Sequence, residues 1–238
     1  HTENLPVYLT EWNTSPSQQD LLNDTCFKSC YIVKTLLENY DKLDGFGYMA
    51  LSDLLGDDQI PEKIFFGGLG LFTTTGIPKA SYFAFQMMNR LGNLFLGNGD
   101  GWFATRSENQ IQILLYNYRH FSHLYALGEK FDMTDTDRYT HFSPEQSLDV
   151  QIQISDIENG NYEVRETILN RQHGSAFDTW VAMGGIPLKD TDEFDCLAAN
   201  STPFQHKYRT HTTNGVLEIE VLLDMLEVRL IVLTPATE

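Results

Sequence analysis

Read for where its apolar side chains fall, the chain divides into two kinds of text. The first part alternates strand-like runs with helix-spaced ones. Leu5 to Trp12, LPVYLTEW, is a short apolar run of the kind expected of a buried parallel strand, and the TSPS that follows punctuates it. From Asp20 to Tyr40, apolar residues at Leu22, Cys26, Cys30, Val33 and Leu37 stand three or four apart, which predicts an amphipathic helix. Gly45 to Asp53, GFGYMALSD, reads as a second strand. IPKASYFAFQMMNRLG, residues 77–92, reads as a second helix, with Pro78 near its start and Gly92 past its end. Strand, helix, strand, helix implies βα units on a parallel sheet. Two such units cannot cover both faces of a parallel sheet, so this half is expected to be the end of something larger.

From about Gly97 the period changes. NQIQILLYNY, LDVQIQISDI, NYEVRETILN, NGVLEIEVLL and LEVRLIVLTP alternate, or nearly alternate, apolar with polar residues between Asn, Gly and Asp turns. That pattern predicts an antiparallel β-sandwich. The expected division is residues 1–96 and 97–238. With no long Pro- or Ser-rich linker between them, the two parts are expected to pack on each other.

Composition narrows the class of partner. The 238 residues hold 16 basic and 33 acidic side chains, a formal net charge of −17, and a surface that acidic repels phosphate backbones. Nucleic acid is therefore not expected as a partner of this chain, whereas neutral ligands such as sugars remain open. No apolar run approaches the roughly 20 residues of a membrane helix. Three cysteines without a CxxC pair argue for reduced thiols and a cytoplasmic setting. The chain opens close to a strand without a start methionine, which suggests a piece of a longer protein.

Candidate chemistry gathers at the strand ends. Glu11, in the Thr10-Glu11-Trp12-Asn13 tetrad, falls at the carboxyl end of the first strand, where residues of parallel α/β folds face an active-site mouth. The other reading of Glu11 is a helix cap or a surface ion pair. Asp53, Asp57 and Asp58 follow the second strand, and such carboxylates suit sugar hydroxyls or a divalent cation. For Asp57 and Asp58 a solvated turn is the better reading. Cys26 and Cys30 share a helical face but have no nearby histidine to complete a metal site, and His120 and His123 would need two further ligands. GGLGLFTTTG, residues 67–76, lacks the features of a nucleotide loop, and no GxSxG elbow is present.

The co-linear series LPVYLTEWNTSPSQQDLLNDTCFKSCYIVKTLLENYDKLDGFGYMALSD and GGLGLFTTTGIPKASYFAFQMMNRLG resembles the C-terminal part of the catalytic domain of glycoside hydrolase family 39, nearest its β-xylosidases. HGSAFDTWVAMGGIP and LEVRLIVLTP resemble the accessory β-sandwich of that family. The resemblance implies the last two βα units of a (β/α)8 barrel followed by an antiparallel β-sandwich. It implies a retaining mechanism with Glu11 as nucleophile, which needs two carboxyl groups about 5–5.5 Å apart and neither metal nor cofactor. Trp12 and Asn13 would shape the surroundings of Glu11, and Tyr48 and Asp53 would line the sugar subsite. The family takes its acid/base from an Asn-Glu-Pro motif on an earlier strand, and this chain contains no Asn-Glu dipeptide. The first strand would then be barrel strand seven, and the chain alone would be catalytically incomplete.

The match departs from the family after Tyr48. Where family xylosidases carry Tyr-Trp-Thr-Phe-Ser-Asp, this chain has Tyr48-Met49-Ala50-Leu51-Ser52-Asp53, so a flat platform for a sugar ring becomes a flexible Met. That departure supports a second expectation, because similar domains also stand behind AraC-type regulator modules as sugar sensors. A plain carbohydrate-binding sandwich would explain only the second half. Trp180 and Met183 are expected to anchor the HGSAFDTWVAMG segment against the first half. The uncovered faces of the first half are expected to self-associate.

Overall fold

The computed structural model describes residues 5–15, 17, 19–54, 61–129, 132–142 and 146–236. Strands β1 (Tyr8–Trp12) and β2 (Gly45–Tyr48) run parallel, with Tyr8 opposite Gly45, Leu9 opposite Phe46 and Trp12 opposite Tyr48. The register slips between Leu9 and Trp12, a bulge that includes Glu11. The two backbones approach so closely that a Cβ on Gly47 would stand 2.2 Å from the Thr10 carbonyl oxygen. Only glycine fits there.

The first helix starts later than its apolar spacing predicts. A 3₁₀ turn, Leu21–Asp24, comes first, capped by Asp20 Oδ1, which accepts from Leu22 N at 3.1 Å; helix α1 then runs Cys26–Leu37. The reason is local competition for hydrogen bonds. Thr25 Oγ1 donates to Leu22 O at 2.7 Å, while Asn23 Nδ2 and the Asp24 carboxylate bond the Gly67 carbonyl and amide at 2.8 and 2.7 Å.

The second strand ends at Tyr48 rather than at Asp53, because the chain then turns to pair with the glycine-rich segment. Ala50 N donates to Leu69 O at 3.2 Å, Leu71 N to Ala50 O at 3.0 Å and Asp53 N to Phe72 O at 2.9 Å. Helix α2 (Ala80–Met88) follows and packs on α1. The first strand, expected to be buried, exposes Tyr8 and Leu9, and within it only Trp12 is buried.

Strands β3 (Leu94–Gly99), β4 (Trp102–Ser107), β5 (Gln110–Tyr116), β7 (Asn161–Leu169), β8 (Phe204–His211) and β10 (Val228–Pro235) form one antiparallel sheet in the order β3-β4-β5-β10-β7-β8. Strands β6 (Leu148–Ile154) and β9 (Leu217–Leu223) pair separately. The central strands β5 and β10 are buried on both faces, whereas the edge strands β3 and β8 are largely exposed. Ile113, Leu115, Val164, Ile231 and Leu233 pack against Leu217, Ile219, Val221 and Leu223 of β9, while Leu114, Tyr116, Leu230 and Val232 join the core of α1 and α2. This double burial explains why β5 and β10 read as near-continuous apolar runs, whereas β9 alternates strictly.

One hydrophobic cluster extends from Trp12 to Val232, so the halves on either side of residues 96 and 97 share a core, and β3 already begins at Leu94. Short helices α3 (His123–Ala126), α4 (Ala176–Ala182) and α5 (Thr191–Asn200) lie between the strands. Trp180 of α4 packs on Phe65 with ring centroids 5.5 Å apart and donates from Nε1 to Ile186 O at 2.8 Å, and Met183 packs against the same core. The α4 segment thus meets the loop after β2.

Candidate functional site

Glu11 stands exposed at the end of β1, one residue before the buried Trp12. The Trp12 indole meets Tyr48 edge-on, with centroids 5.4 Å apart and planes at 79°, and contacts Tyr31 and Phe46 at 5.9 and 6.4 Å. These rings lock the two strand ends together. Burial pushes the Tyr48 hydroxyl well above its ordinary pKa, so it stays protonated and neutral at physiological pH.

Asn13 spans the gap between the strand ends. Its Nδ2 donates to Met49 O and lies 3.5 Å from Leu69 O, and its Oδ1 accepts from Thr14 N at 2.7 Å. Lys28, in the first turn of α1, donates from Nζ to Asn13 Oδ1 and Thr14 Oγ1. Glu11, Trp12, Asn13 and Tyr48 are therefore gathered at one end of the parallel pair.

Asp53 is not on that open surface. Its side chain is fully enclosed, with Lys79 Nζ 3.2 Å from each carboxylate oxygen and Gly70 N donating to Oδ1 at 2.7 Å. A Cβ on Gly70 would stand 2.2 Å from Asp53 N, which accounts for a glycine there. The geometry makes Asp53 an enclosed brace behind the strand ends, where the sequence suggests a group lining a sugar subsite. Burial raises its carboxyl to about 6, with Lys79 opposing that rise and Asp24 adding to it. Lys79 Nζ also lies 2.6 Å from Asp24 Oδ1, and Arg138 Nη1 lies 2.7 Å from Asp24 Oδ2. Arg138 adds bonds to Leu21 O and Phe65 O at 3.0 and 2.7 Å.

Lys28, Asp24, Lys79 and Arg138 were not anticipated as parts of this end of the molecule. None of them carried a signal in the apolar spacing, which runs unbroken from Leu22 to Leu37. Asp57 and Asp58 lie outside the described residues. Cys26 and Cys30 are core thiols, held protonated by burial. His120 packs at a tilt on Phe121, with ring centroids 4.1 Å apart, and bonds the Tyr118 hydroxyl at 2.9 Å, and His123 heads α3. Among the described residues no three His, Cys, Asp or Glu side chains gather to hold a metal ion, and no helix is long and apolar enough to cross a membrane.

A parallel strand pair with an exposed carboxylate at its carboxyl end, packed on antiparallel sheets, defines a mixed α and β protein with its candidate chemistry at a strand-end surface. Residues 1–218 match the family described as Glycosyl hydrolases family 39, and the chain belongs to that family. It is 28% identical over 228 residues to a beta-xylosidase of Geobacillus stearothermophilus, covering 95% of this chain and 41% of that relative. It is 27% identical over 227 residues to an uncharacterized HTH-type transcriptional regulator of Staphylococcus aureus, covering 91% of this chain and 29% of the relative. In fold it matches the crystal structure of a monomeric beta-xylosidase from Caulobacter crescentus CB15, with a TM-score of 0.82 at 24% identity, covering 98% of this chain and 46% of the other. The chain thus spans less than half the length of these relatives.

Proposed function

We propose that this chain is the nucleophile-bearing C-terminal part of a retaining glycoside hydrolase acting on β-xylosides or related glycosides. Residues 1–96 supply the last two βα units of a (β/α)8 barrel, and residues 97–238 form a β-sandwich that buttresses them. The observation that carries the reading is the exposed Glu11 at the carboxyl end of β1, backed by Trp12, Asn13 and Tyr48. The second carboxyl, the general acid/base, comes from the earlier part of the whole protein.

On this reading Glu11 attacks the anomeric carbon as the leaving group departs with a proton from the acid/base. Water, deprotonated by that same residue, then releases the sugar with retained configuration. Trp12, Asn13 and Tyr48 hold the end of β1 so that Glu11 presents its carboxylate to the sugar. No metal or cofactor takes part.

Hydrolysis of an aryl β-xyloside by the full-length protein, with a Glu11→Ala control, tests this. Turnover that disappears in the variant supports the proposal, and undiminished turnover in the variant overturns it. A second reading, a sugar-sensing domain of a transcriptional regulator, is favoured by the matching HTH-type relatives and by Met49. Absence of turnover together with calorimetric binding of xylo-sugars selects that reading.

A further inference from the structure

Lys28 is only 1% exposed, and no step of the proposed reaction uses it. Its two direct partners, Asn13 Oδ1 and Thr14 Oγ1, are neutral oxygens, and the Tyr31 ring centroid lies 5.8 Å from its Nζ. Both partners belong to the segment that leaves the end of β1, two and three residues after Glu11. Asn13 in turn bonds Met49 O and approaches Leu69 O, beyond the end of β2. Thr14 Oγ1 reaches Asn23 Oδ1 at 3.2 Å. A single ammonium on α1 therefore ties together the ends of both strands.

We propose that Lys28 is a positioning residue for the nucleophile, its ammonium fixing Asn13 and Thr14 and, through them, the placement of Glu11 against the end of β2. The inference rests on the reading of Glu11 as nucleophile. Hydrogen bonds from a charged donor are roughly twice as strong as neutral ones, so the tie depends on the proton. The charged and titratable groups facing Lys28 are Asp20 and Asp24 from the 3₁₀ turn, Lys79 ahead of α2 and Tyr31 on its own helix. Burial above all, with Asp20 and Asp24 opposing the fall and Lys79 adding to it, brings the Lys28 pKa down to about 7. The ammonium holds the segment below that pH and releases it above. Between about 7 and 10 the unfolded chain binds more protons at this residue, so Lys28 itself favours folding as pH rises. A loss of activity across neutrality is therefore not unfolding driven by this residue.

The test uses the full-length protein, a dinitrophenyl β-xyloside whose departure needs no acid, and the variants Lys28→Met, Lys28→Arg and Glu11→Ala. Wild-type kcat/KM should fall about tenfold between pH 6 and 8, and Lys28→Met should start at the lower level and stay flat. Lys28→Arg, charged throughout, should keep the higher level at both pH values. Should Arg not be accommodated, amide-exchange protection at Thr14 supplies the readout, falling across neutrality in wild type and remaining flat in Lys28→Met. An alkaline limb that both variants keep, or Thr14 protection with the same pH dependence in wild type and Lys28→Met, overturns the inference. Glu11→Ala separates the two claims: full turnover there defeats the nucleophile reading, whereas its loss alongside an unmoved Lys28 profile defeats only the positioning role.

Discussion

Lys79 places its ammonium 3.2 Å from both oxygens of Asp53, and neither side chain has more than 1% of its surface exposed. Asp24 shares the same ammonium. Removing Lys79 would leave the buried Asp53 carboxylate without its cation and Asp24 with Arg138 alone, and loss of one partner from such a pair costs about 3–5 kcal/mol. Lys79→Met is therefore expected to cost that much in urea unfolding at pH 7. Asp53→Asn keeps the shape and removes a charge that burial disfavours, so its cost should be clearly smaller. Equal losses in the two variants would contradict the brace.

The pH dependence of Asp53 has a defined sign. Its folded pKa of about 6 stands above the ordinary carboxyl value of 3.8, so the folded state binds the extra proton between those values. The contribution of this group is present below about 4 and is lost as pH rises toward 6. Comparing urea unfolding of wild type with Asp53→Asn from pH 4 to 7 isolates it: the wild type should lose stability relative to the variant over that window. A difference that stays constant with pH would contradict this assignment.

At Gly47 the backbone of β1 leaves no room for a side chain. Gly47→Ala would drive its Cβ to 2.2 Å from Thr10 O and force β1 and β2 apart. Overpacking of that kind costs about 1–3 kcal/mol. Chemical denaturation should register the loss, and an unchanged midpoint would show that the strand pair can yield.

Trp180 couples α4 to the loop after β2 through Phe65 and Phe177. Truncation of a buried Trp typically costs about 3–5 kcal/mol, so Trp180→Ala should lower the melting temperature markedly. An unchanged melt would remove the anchor from the account.

The parts legible in the sequence are those where one physical demand dominates. Strand β9 alternates because only one of its faces is buried, and β5 and β10 lose their alternation where helices cover the second face. Strand β8 escaped notice because it is a polar edge strand, FQHKYRTH, whose charges suit an exposed edge. Helix α5 buries only Leu197, so its period is faint, although Asp190 capping Glu193 N at 3.0 Å is a start signal that was there to read. At the site, Glu11 was visible from its strand-end position. The true surroundings of Asp53 were not, because its partners Lys79 and Asp24 lie 26 and 29 residues away along the chain and no local pattern links them.

Leu5, Val7, Tyr8 and Leu9 are 66, 53, 61 and 41% exposed along and beside β1, and the outer edge of that strand has no partner among the described residues. The isolated 238-residue chain should therefore self-associate through this surface in concentration-dependent light scattering. A clean monomer at high concentration would contradict that.

The central claim is that Glu11 forms the covalent glycosyl intermediate. Incubating the full-length protein with a dinitrophenyl 2-deoxy-2-fluoro-β-xyloside, then mapping peptides by mass spectrometry, tests it most directly, because the fluorine slows release of the sugar from the nucleophile. The account predicts one fluoroxylosyl group on the peptide containing Glu11, and none on a Glu11→Ala variant. A label on another carboxylate, with Glu11 unmodified, would contradict it.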